Sequence, residues 1–195
     1  MRTCEEGEPI GTSPCVRTLP HLFEQCLEFQ RANGVDTIDL RQSALGDTDG
    51  SATLFEPQED HDFGAPSANT LVSDSWQARK AHKTHTIKIT RLDTILEGRP
   101  LRQPVTIKID VEDYEAAVLR GAKRTIEEYR PMIICEILPR QHGNGETIAA
   151  LDELRYAAYA ITAAGCFRFL PTDFAAPRVF KQNSHSPIFW PVTVS

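Results

Sequence analysis

The stretch Val105-Thr-Ile-Lys-Ile-Asp-Val-Glu-Asp-Tyr-Glu-Ala-Ala-Val-Leu-Arg-Gly-Ala-Lys-Arg-Thr-Ile-Glu-Glu-Tyr-Arg-Pro-Met-Ile-Ile-Cys-Glu-Ile-Leu138 decides how this 195-residue chain folds. Val105, Ile107 and Ile109 alternate with their neighbours, the period of a strand that ends at Asp110. The period then changes. Val118, Ala122 and Ile126 form a four-residue ladder, with Arg120, Lys123, Arg124, Glu127 and Glu128 facing outward, which predicts one amphipathic helix over Tyr114–Tyr129. Pro131 closes it. Met132–Leu138 is a nearly unbroken apolar run, and such a run between helices reads as a strand covered on both faces of a parallel sheet. Strand, helix, strand in this order predicts a doubly wound α/β domain.

Working outward, Leu22, Phe23, Cys26, Leu27 and Gln30 follow three- and four-residue steps, and Asn33-Gly34 supplies a stop, so a helix is expected over Pro20–Ala32. Residues 1–19 read as an irregular segment with a short strand near Cys15–Arg17, and residues 20–195 as the domain proper. Strands are expected from Thr37 to Arg41 or Gln42, over Ser51–Phe55 after the Asp49-Gly50 turn signal, and over His85–Thr90. A short helix follows at Leu92–Leu96. Residues 56–82 are polar and rich in Gly, Pro, Asn and Ser, which predicts a long loop or a partly helical insertion. Downstream, a helix is expected over Glu146–Ala163, then strands at Phe167–Leu170 and Ile188–Val194.

Composition narrows the function classes. Apolar residues are 41% and charged residues 25% of the chain, within the range of folded proteins. The net charge of −6 disfavours nucleic acid, whose binding draws on a basic excess. No run of 18 apolar residues is present, so no membrane span is expected, and the N-terminal residues do not read as a secretion signal. Cys4, Cys15, Cys26, Cys135 and Cys166 are odd in number and lack a C-x-x-C spacing, so a reduced, cytoplasmic protein without a disulfide framework or zinc site is expected.

The segments Ile107-Lys-Ile-Asp-Val-Glu-Asp-Tyr-Glu115, Val118-Leu-Arg-Gly-Ala122 and Arg130-Pro-Met-Ile-Ile-Cys-Glu136 together resemble the FkbM family of methyltransferases. Ser43-Ala-Leu-Gly-Asp47 with Asp49-Gly50, Asn69-Thr-Leu71, Thr90-Arg-Leu-Asp-Thr94 and Ser186–Val192 fall in the family's order. The resemblance covers roughly residues 20–140 and the last ten. It implies a Rossmann-like class I fold with a mostly parallel sheet, S-adenosylmethionine as methyl donor, and O-methylation of a small-molecule or glycan-like hydroxyl. In open α/β sheets ligands sit beyond the carboxyl ends of the strands, where Asp110 and Glu136 are expected. A carboxylate suits a sulfonium cation. Asp110 or Glu112 is expected to hold the acceptor or take its proton, and by analogy Ser43 and Ala44 lie near the adenine, with Asp110 also facing the donor. For Glu136 a structural ion pair is the competing reading, because a buried carboxylate needs a partner. Glu115 reads as a helix-start acid, favoured by the macrodipole by about 0.3–1 kcal/mol.

Two departures from the family pattern stand out. Asp113 occupies the position of a usual glycine, at a turn that asks for unusual backbone angles. No glycine-rich turn after an apolar strand precedes residue 20, and Arg17 falls where an acid for the ribose hydroxyls is expected. The sheet is therefore expected to be incomplete at its N-terminal strands, with weak or absent donor binding. An inactive binding module of the same fold and a truncated gene product are the rival readings. Other patterns carry little. Gly143-Asn-Gly145 lacks the third glycine of a dinucleotide turn, and Asp47-Thr-Asp49-Gly50 lacks the spacing of a calcium loop. His82, His85 and Asp60-His-Asp62 lack a third ligand cluster. Trp76 and Trp190 read as packing residues, and Ser184-His-Ser186 lacks a nucleophile-elbow context.

Overall fold

The computed structural model describes residues 13–57, 70–73, 81–111, 113–135, 144–162, 165–169 and 188–192. The chain forms two compact units, Met1–Ala44 and Leu45–Ser195. In the first, β1 (Ser13–Arg17) and β2 (Ile38–Gln42) pair in parallel, Ser13 opposite Ile38 and Arg17 opposite Gln42. Helix α1 (Pro20–Asn33) makes the crossover. Pro20 opens it because its fixed φ suits the first helical position. Gly34 ends it at φ 61, its N–H returning to the Gln30 carbonyl. The Gln30 side chain then donates to the Ile38 carbonyl at 2.9 Å, fastening helix to strand.

The two-residue β3 (Ala44–Leu45) straddles the boundary, and in the second unit β4 (Gly50–Pro57) and β5 (Ala81–Thr90) form an antiparallel hairpin. The one-turn helix α2 (Leu92–Ile95) follows. A five-stranded sheet has the order β6 (Thr106–Ile109), β7 (Met132–Cys135), β10 (Ile188–Pro191), β8 (Tyr156–Thr162), β9 (Gly165–Phe169). Strands β6 and β7 are parallel, Ile107 opposite Ile133 and Ile109 opposite Cys135. Between them run α3 (Glu115–Gly121) and α4 (Lys123–Tyr129). Leu119, Ile126, Ile133, Cys135 and Leu151 are fully or almost fully buried, and all but Leu151 come from the decisive stretch.

The α/β class and the central strand–helix–strand order are as the sequence predicts. Three features differ. The expected single helix over 114–129 breaks at Ala122, whose φ −108 and ψ 7 leave the helical region. The Asp93 carboxylate stabilises the break, accepting from the Arg124 and Thr125 amides at 2.9 Å each and from Thr125 Oγ1 at 2.7 Å. The expected helix over 146–163 is helix only as α5 (Asn144–Glu153). Arg155 at φ 59 turns the chain, and Tyr156–Thr162 becomes β8. Pairing on both sides, with β10 and with β9, outweighs the helix preference of its alanines. Consequently β1–β2 and β6–β7 pair in parallel, while β10 is antiparallel to β7 and β8, and β8 to β9. No helix among the described residues is long and apolar enough to cross a membrane.

Candidate functional site

Asp110 is the first residue beyond the carboxyl end of β6, where a parallel strand delivers its side chains to the rim of the sheet. Its carboxylate is about half exposed and pairs with Lys108 Nζ, two residues back on the same strand. Further along, Asp113 sits at φ 62, the left-handed region. The sequence anticipates this: the position that is usually glycine in the resembling motif takes a glycine-like conformation here with Asp.

Tyr114 ends the loop and precedes α3. Burial and the Asp47 carboxylate push its phenol above the usual tyrosine range, against the opposing effect of Arg120. The hydroxyl therefore stays protonated across the physiological range. Arg120, near the end of α3, donates from Nε to Asp47 Oδ2 at 3.1 Å, and its Nη1 lies 3.9 Å from Glu146 Oε2. This polar group beside Tyr114 was not legible in the sequence, since Asp47 and Arg120 are far apart along the chain. The nearest signal was Arg120 facing outward on the helical ladder.

Ser43 and Ala44 lie in the first unit, each only 5% exposed, and the Ser43 carbonyl accepts from Thr18 Oγ1 at 3.3 Å. Arg17 ends β1, exposed, with Nη1 donating to its neighbour's carbonyl, Val16 O. Asp110 belongs to the second unit. Glu112 and Glu136 lie outside the described residues, as do Asp60, Asp62, Trp76, Gly143 and the Ser184-His-Ser186 segment. His85 lies on the hairpin, its Nε2 2.6 Å from Glu56 Oε2. Asn69 is outside the described residues, whereas Thr70 is buried and bridges to Phe55, their amides and carbonyls bonded at 2.9 and 3.2 Å.

The Thr90–Thr94 element has a structural role. Asp49 accepts from Thr90 Oγ1 at 2.7 Å, from the Arg91 amide and Nε at 2.9 Å each, and from Thr94 Oγ1 at 2.9 Å. These bonds, the Arg91 amide foremost, hold its carboxyl well below the usual carboxylate range. Asp93, as described, starts α4. Both acids fasten elements to each other.

None of the curated proteins compared with the chain matches it. A crystal structure of methyltransferase FkbM from Methylobacillus flagellatus is similar over 92% of this chain and 36% of its own, with 14% identity and a TM-score of 0.53. The likeness concerns the fold, and this chain spans only about a third of that protein's length. The profile of the methyltransferase FkbM domain matches residues 16–161, from the end of β1 through most of β8, Asp110 included. The chain belongs to the methyltransferase FkbM domain family.

Proposed function

We propose that this chain supplies the Asp110-bearing part of an S-adenosylmethionine-dependent methyltransferase acting on a hydroxyl of a small molecule or glycan-like acceptor. The observation that carries the reading is the place of Asp110: a half-exposed carboxylate at the carboxyl end of a parallel strand, within a matched methyltransferase domain. The chemistry asks for little more than alignment. The acceptor oxygen displaces the thioether in line, the S–CH3 bond breaks as O–CH3 forms, and a base takes the hydroxyl proton. Asp110 is the group suited to that proton or to the sulfonium charge, with Lys108 as its resting counter-ion. Glu112 and Glu136 are proposed in supporting roles, and Ser43 and Ala44 as the donor's adenine neighbours, through the little surface they expose. The protein is proposed to act in the cytoplasm, without nucleic-acid or membrane partners.

Calorimetric titration with S-adenosylmethionine, followed by transfer assays on hydroxylated acceptors, tests this. Asp110→Asn is expected to lower transfer by about 10²-fold or more, the contribution typical of a positioned base, while the melting temperature stays unchanged. Full activity in that variant removes Asp110 from the mechanism. One observation favours a second reading, a binding module without transfer: Arg17 ends β1, where the resemblance asks for a carboxylate to accept from ribose hydroxyls, and a guanidinium has no acceptor. Absence of donor binding selects it.

A further inference from the structure

The two faces of β6 differ in character. Ile109 is only 3% exposed, whereas Thr106 and Lys108, on the other face, are open to solvent. Side chains alternate along an extended backbone, so Asp110 returns to the Lys108 face. There Lys108 Nζ donates to Asp110 Oδ2. Among the described residues Asp110 is the one polar partner of that ammonium.

The two ends of this pair are not held alike. Lys108 lies within the β6–β7 ladder, opposite Ile134, with Ile107 opposite Ile133 before it and Ile109 opposite Cys135 after it. Ile133 and Cys135 are fully buried, so the backbone that carries Lys108 is fixed by the core. Asp110 lies one residue past the last ladder pair. Both side chains are half exposed or more, and an ion pair of that kind adds little to global stability. Its consequence is local: the strand-borne ammonium selects one staggered orientation of the Asp110 side chain.

We infer that Lys108 is a positioning residue: from its fixed place in the ladder, its ammonium holds the Asp110 carboxylate in one orientation at the rim of the sheet. As a statement about catalysis this rests on the methyltransferase reading above. As a statement about the side chain it does not.

The full 195-residue chain, labelled with 13C and 15N, is compared with Lys108→Met, Lys108→Gln and Lys108→Arg. Three-bond couplings to Asp110 Cγ report its χ1 angle, and thermal melting, S-adenosylmethionine titration and transfer rates are measured alongside. In wild type the couplings are expected at the limit for a single rotamer. Lys108→Met and Lys108→Gln lose the charge and should move them to the averaged values of mixed rotamers, with melting shifted by no more than about 3 °C. Lys108→Arg restores a charged donor and brings back single-rotamer couplings. In a chain that transfers methyl groups, kcat falls about tenfold in the two neutral variants and recovers at least half of that loss with Arg. Couplings in both neutral variants equal to wild type overturn the inference, and so does averaging in wild type itself or in Lys108→Arg. Averaged couplings with an unchanged kcat overturn it for catalysis. Averaging in the neutral variants of a chain that never binds the donor leaves the inference standing and removes the proposed function.

Discussion

Asp113 holds a left-handed backbone at φ 62 that costs an L-residue about 1 kcal/mol relative to glycine. Asp113→Gly is therefore expected to raise unfolding free energy by about 0.5–1 kcal/mol, read from urea denaturation midpoints. Unchanged or lowered stability would show that the Asp side chain compensates for the strain. Asp49 makes a pH prediction. Its folded-state carboxyl is held below the usual range by the Arg91 amide and by side-chain hydrogen bonds, so the unfolded chain takes up the proton first as pH falls. The contribution is fully present above the unfolded value near ~4 and is lost as pH drops below it toward the depressed folded value. Urea midpoints of wild type and Asp49→Asn should thus differ at pH 6 and converge as pH falls below about 4. Parallel curves at every pH would contradict the assignment. Neither residue was equally legible: the Asp113 turn could be anticipated from the motif, whereas the donors to Asp49 lie more than forty residues away.

Helix α4 and strand β8 are joined through Arg130, which sits at φ 45 where α4 ends. Its guanidinium donates to the Leu154 carbonyl at 2.7 Å and the Arg155 carbonyl at 3.0 Å, and it lies 4.7 Å over the Tyr156 ring. Tyr156 in turn donates its hydroxyl to the Pro131 carbonyl at 2.8 Å, and burial, partly opposed by Arg130, pushes its phenol up to about 12. The two turns thus cap each other. Arg130→Ala is expected to cost about 2 kcal/mol, and Arg130→Lys to recover less than half, since one ammonium cannot span both carbonyls in a fork. Chemical denaturation of the two variants checks this, and full recovery by Lys would reduce the clamp to simple charge. At Gly121 the expectation is harsher. Any Cβ there meets backbone, so Gly121→Ala should cost about 3 kcal/mol or abolish cooperative melting. Element identity was readable wherever periodicity was strong, as in α1, β6 and β7. It was not readable at Ala122, where the helix breaks because Asp93 caps a new start, nor at Tyr156–Thr162, where sheet partners decide.

Across the whole molecule the two units differ in how they bury surface. Among the described residues, α1 contains no buried side chain, and its Phe29 is 61% exposed. In the second unit Leu119, Ile126, Ile133 and Cys135 are fully shielded. Low burial means low local opening energy. Amides of α1 should therefore exchange faster than those of β6 and β7 under native conditions. Equal protection in both units would argue for one cooperative block.

The sequence by itself determined the strand–helix–strand core from Val105 to Cys135, the α1 crossover with its Gly34 stop, and the family, because each depends on residue spacing within a short stretch. Tertiary structure alone decided that 156–162 is a strand, that Asp49 and Asp93 serve as caps, and that Asp47 meets Arg120. Those outcomes depend on partners tens of residues distant, and a hydrogen bond or a sheet edge exists only once both sides have been brought together.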